Sequence, residues 1–64
     1  MAATALSVVI KEINERRESI KNALSDGAAK DYSEYRAMSG EIKGLSLAHS
    51  LVTDLVRQLE YDDE

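Results

Sequence analysis

This 64-residue chain contains no cysteine, proline, tryptophan or phenylalanine, and only one histidine and three glycines. Without cysteine there is neither a disulfide framework nor a thiolate metal site, and a single histidine excludes a multi-histidine centre. Without proline, no residue removes an interior helix amide or kinks a helix with its ring. No apolar run approaches the ~20 residues needed to span a bilayer. The mildly apolar start, Met1 to Ile10, has no basic leading segment and meets charge at Lys11 and Glu12, unlike a secretory signal. The expectation is a soluble, unsecreted chain with no metal and no cofactor. Chains this short bury only about 60% of their unfolded surface and are usually reinforced by disulfides, a metal or a second chain. With the first two removed, another protein chain is the expected source of extra stability.

The net charge of −4 is equally localised, because Glu60, Asp62, Asp63 and Glu64 account for all of it. Residues 1–59 carry eight acidic and eight basic side chains, a balance of zero. A phosphate-binding body is basic, and a nucleic-acid mimic is acidic along its whole length. This body is neither, so no direct nucleic-acid binding and no membrane association are expected. The acidic tail, residues 60–64, directly follows the apolar group Leu55, Val56 and Leu59. Its expected role is to keep that helix end soluble or to steer it to a basic surface.

What the chain does contain is helical periodicity. Leu6, Val9, Ile10, Ile13, Ile20 and Leu24 follow steps of three and four, with Arg17 the one polar intruder, which keeps one face of a helix apolar. Ser25-Asp26-Gly27 ends this stretch, since glycine just past a helix adopts positive φ without a Cβ clash. Asp31 is placed to cap a second helix, and Glu34, three residues on, completes an aspartate version of the capping box. Tyr35, Met38, Ile42, Leu45, His49, Val52, Val56 and Leu59 then alternate steps of three and four without interruption. This is a seam meant to lie along another helix, and Leu51 and Leu55 widen it towards its C-terminal end. The expected architecture is all-α: one domain over residues 1–64, with helices at about 4–26 and 31–60 and a turn at 27–30.

So short a link makes the two helices antiparallel neighbours. With the turn centred near Ala29, Ile20 faces Met38, Ile13 faces Leu45 and Leu6 faces Val52. Leu55, Val56 and Leu59 then project past the first helix with nothing in the chain to cover them. The hairpin is therefore expected to complete its seam by self-association or by docking on a larger protein. Alone and dilute, it is expected to be poorly helical or to oligomerise with concentration.

Gly40 and Gly44, continued by Ala48, form a small-residue row in the second helix. Each interior glycine costs about 1 kcal/mol relative to alanine, so the pair marks either close approach of a partner helix or a kink or break near Ser39-Gly40. The expected partner-binding set is Gly40, Gly44, Ala48, Leu51, Leu55, Val56 and Leu59. Arg17 is expected opposite Glu41, either as a register-setting pair or as a contact to an outside anion. Lys11–Glu15 and Glu12–Arg16 have i,i+4 spacing on a solvated face. Tyr32 and Tyr35 are expected to pack the hairpin tip. His49, Ser50 and Asp54 do not form a triad, because adjacent helical residues diverge by about 100°. No phosphate loop, zinc-protease or calcium-loop motif is present, and a two-helix unit has little concavity for a substrate. No catalytic residues and no enzyme activity are expected.

From Ala28 to Glu60 the chain resembles small helical-hairpin proteins encoded among head and tail morphogenesis genes of tailed bacteriophages. Asp31, Tyr32, Tyr35, Arg36, Gly40, Ile42, Gly44 and Leu45 carry the resemblance. It implies a small, non-enzymatic virion component bound in many copies to a capsid, portal or tail protein, passing through the host cytoplasm during assembly. The alternative is a small soluble phage regulator that binds and inhibits a host protein.

Overall fold

The computed structural model describes the backbone of residues 2–62 and the side chains of residues 4–60. Two helices, α1 (Ala2–Ser25) and α2 (Tyr32–Asp62), pack against each other as a hairpin, and no strand occurs among the described residues. The molecule measures 51 × 14 × 12 Å. At 1.5 Å per residue, the length of α2 alone accounts for most of the long dimension. The result is an all-α rod one helix pair thick.

The turn is built by backbone chemistry readable in the sequence. Gly27 has φ 82°, the left-handed value that glycine adopts most readily. The amide of Ala28 donates to the Ala23 carbonyl at 2.9 Å and that of Gly27 to the Leu24 carbonyl at 3.1 Å. These two bonds form a Schellman cap that satisfies carbonyls left over at the end of α1. At the start of α2, the Glu34 amide donates to Asp31 Oδ1 at 2.8 Å. The Glu34 carboxylate reaches one residue further back than in a standard capping box and accepts from the Lys30 amide at 2.6 Å. Asp26 and Asp31 are thus the flanking caps, and the helices proper run from 2 to 25 and from 32 to 62 rather than over 4–26 and 31–60.

Ile20, 6% exposed, is the one buried hydrophobic side chain among those described. Nearly all of the remaining apolar positions of both series are half-buried, and Val9 and Tyr35 are exposed. Two helices have only one mutual seam, so most of its members keep an edge in water. Two polar rungs cross it. Arg16 Nε donates to Glu41 Oε2 at 2.9 Å. Arg17 donates to Ser46 Oγ at 3.2 Å and to Asn14 Oδ1 at 2.8 Å. The expected Arg17–Glu41 pair is therefore corrected: Arg16 reaches Glu41, instead of turning back to Glu12, and Arg17 lies deeper in the seam on a hydroxyl and an amide. Both members of the Arg16–Glu41 pair are largely solvated, so it helps set register and contributes less than about 1 kcal/mol.

Among the described residues, one buried side-chain polar atom lacks a hydrogen-bond partner, the Thr53 hydroxyl. Valine has nearly the same shape and no hydroxyl to desolvate. Thr53→Val is expected to stabilise the hairpin by about 1 kcal/mol, read as a higher midpoint in thermal or urea unfolding followed by circular dichroism.

Candidate protein-interaction surface

α2 carries two apolar stripes. The inner one faces α1. The outer one consists of Gly40, Gly44, Leu47, Leu51 and Leu55, separated by steps of four, three, four and four. At 100° per residue these five lie within an arc of about 80°, on the side of α2 roughly opposite α1. Leu47, Leu51 and Leu55 are 64%, 61% and 43% exposed. Between Gly40 and Leu55 no charged residue falls within the arc. Lys43 and Asp54 line one edge, and Ala48 and Glu41 line the other, where Glu41 is held by Arg16.

α2 runs unbroken through both glycines, so of the two alternatives the break near Ser39-Gly40 does not occur. Nor does α1 approach them: a Cβ built on Gly40 or Gly44 meets nothing within 4 Å. Two residues that disfavour a helix therefore sit in its exposed middle with no reason inside the chain. Of the expected partner-binding set, Gly40, Gly44, Leu51 and Leu55 lie together on this open face, and Ala48 is half-buried at its edge. Val56 and Leu59 are half-buried on the side of α1. α1 begins as early as Ala2, and the register set by Arg16–Glu41 puts that residue about opposite Leu55–Val56. The overhang expected beyond Val52 is thereby shortened. Leu47 also belongs to this face, outside the expected set; its signal in the sequence is the spacing that continues from Gly40 and Gly44.

The chain exposes 5010 Å², against ~4,100 Å² for a compact protein of its 7.1 kDa mass, as expected of a rod one helix pair thick.

Tyr32 and Tyr35, 72% and 50% exposed, stack on each other with ring centroids 6.2 Å apart instead of packing the hairpin tip. With Arg36, Ser39, Gly40 and Lys43 they line a shallow depression of about 230 Å³. Ser39 is its one aliphatic hydroxyl, and no histidine or carboxylate lines it to act as a base. His49 is half-buried in the inner seam, whereas Ser50 and Asp54 are exposed elsewhere on α2. Among the described residues no group of three or more potential ligands could hold a metal ion, and no helix is long and apolar enough to cross a membrane. Asp63 and Glu64 of the acidic tail lie outside the described residues, as do the side chains of Tyr61 and Asp62.

Comparison with protein-family models, curated proteins and solved structures finds no match to this chain. Its own geometry carries the functional reading.

Proposed function

We propose that the chain is a small, non-enzymatic assembly protein that binds another protein chain through the outer face of α2. The observation that carries this reading is the row of exposed leucines continuous with two glycines whose Cβ positions are empty. Exposed apolar rows of this length are characteristic of interaction sites, and the small residues permit close approach of a partner helix. The resemblance of residues 28–60 to helical-hairpin proteins of tailed-phage head and tail modules directs the reading to a virion component on a capsid, portal or tail protein.

The test is mass spectrometry of purified particles. The chain is expected at a fixed stoichiometry, and Leu51→Lys is expected to lower its incorporation at least about tenfold, because a buried unpaired ammonium costs several kcal/mol. Leu51 is 61% exposed, so the hairpin itself should keep its helicity. Particles free of the chain, with the chain recovered instead on a host protein, would support inhibition of that protein over assembly.

A further inference from the structure

We infer that the outer face of α2 pairs with the same face of a second copy, antiparallel, about a two-fold axis passing between Leu47 and Ala48. The inference rests on the protein-binding reading above and names the occupant. Its first support is the order of sizes along the face. Small residues, Gly40 and Gly44, occupy the N-terminal half, and large ones, Leu51 and Leu55, the C-terminal half. A parallel pair would stack glycine on glycine and leucine on leucine, leaving a gap at one end and crowding at the other. An antiparallel pair lays Leu55 over Gly40 of the second copy and Leu51 over its Gly44, while the two Leu47 side chains meet across the axis. The residue numbers in both leucine–glycine pairs add up to the same total, so one register seats Leu51 and Leu55 each against a glycine. The recesses are open, since nothing lies within 4 Å of a Cβ at either glycine, and seating a side chain in a recess of the facing helix is how closely packed helices interlock.

The second support is charge. Lys43 and Asp54 share one edge of the face, and neither is ion-paired among the described residues. A two-fold axis perpendicular to an antiparallel helix pair brings like edges together. In the stated register, Lys43 and Asp54 of the second copy are offset by two residues, about 3 Å along the axis. Helical side chains lean towards their own N-terminus, and in this pairing those directions converge. The contact occurs twice by symmetry. α1 packs on roughly the opposite side of α2 and does not obstruct the approach.

The natural absence of cysteine makes the register directly testable. Chains carrying Gly44→Cys and Leu51→Cys are mixed and oxidised. The mixed disulfide is expected to dominate, because like positions lie about 10 Å apart along the axis, beyond disulfide reach. Dominant like-with-like disulfides would indicate parallel pairing and overturn the proposal. Independently, Lys43→Glu is expected to weaken dimerisation about tenfold in sedimentation equilibrium, and the double variant Lys43→Glu/Asp54→Lys to restore it to within about threefold. Failure of the second change to rescue the first would overturn the stated register. A chain that stays monomeric and forms no disulfide, yet is incorporated into particles, sinks the dimer and leaves the assembly reading intact. A dimer with the expected disulfide that is absent from particles supports the inference and sinks the virion reading.

Discussion

Ile20→Ala is expected to lower the stability of the hairpin by about 2–3 kcal/mol, near the lower end of the range for isoleucine-to-alanine changes in protein cores. Ile20 is only 6% exposed, and it lies between the two polar rungs and the turn. The value stays at the lower end because the seam is open to solvent at its sides and closes partly over the deletion. Even so, the loss is large for this molecule. Domains are stable by roughly 0.05–0.15 kcal/mol per residue, and a two-helix rod with one buried side chain belongs at the bottom of that range. At about 4–8 °C per kcal/mol for chains near this size, the midpoint should fall by ~10–20 °C, or the transition should disappear. Thermal unfolding by circular dichroism checks this against Leu47→Ala, measured where the chain is monomeric. Leu47 is 64% exposed, and its truncation should be nearly silent. Equal losses in the two variants would mean that the hairpin does not exist in solution as described.

Gly40→Ala/Gly44→Ala is expected to move folding and association in opposite directions. Both glycines lie inside a continuous helix, and a Cβ at either meets no other atom within 4 Å. Alanine there restricts the unfolded chain without straining the folded one, a gain of about 1 kcal/mol at each site. The monomer's midpoint should rise by ~8–16 °C. The same two methyl groups would occupy the recesses that receive Leu55 and Leu51 of a second copy, so the dimer should weaken at least about tenfold, which corresponds to ~1.4 kcal/mol. Thermal melts in the monomeric range and sedimentation equilibrium above it separate the two effects. A variant that is both more stable and equally or more strongly associated would show that the glycines do not receive those leucines. On the proposed pairing, the cost to folding of two helix-weakening residues at solvent-facing positions is offset when a second copy docks on them.

Much of this molecule was legible from residue order, and the reasons differ by element. The cap at Asp31 and the stop at Gly27 were readable because they depend on local backbone chemistry, a carboxylate accepting an amide and a glycine reaching positive φ. The two helices and their antiparallel pairing followed from apolar steps of three and four and from a link too short for any other arrangement. What periodicity left open was which face of α2 meets α1. Consecutive helical residues differ by about 100°, so a modest rotation of α1 decides whether Arg16 or Arg17 reaches Glu41, and the structure assigns it to Arg16. Leu47, Leu51 and Leu55 lie on the side of α2 that α1 leaves open, so the wide stripe is two stripes on roughly opposite sides of the helix. The elements, their caps and their order are written in residue order, because each depends on neighbours within a turn or two of the chain. Which apolar face is covered and which stays open is set by packing, because it depends on how one helix is rotated against the other.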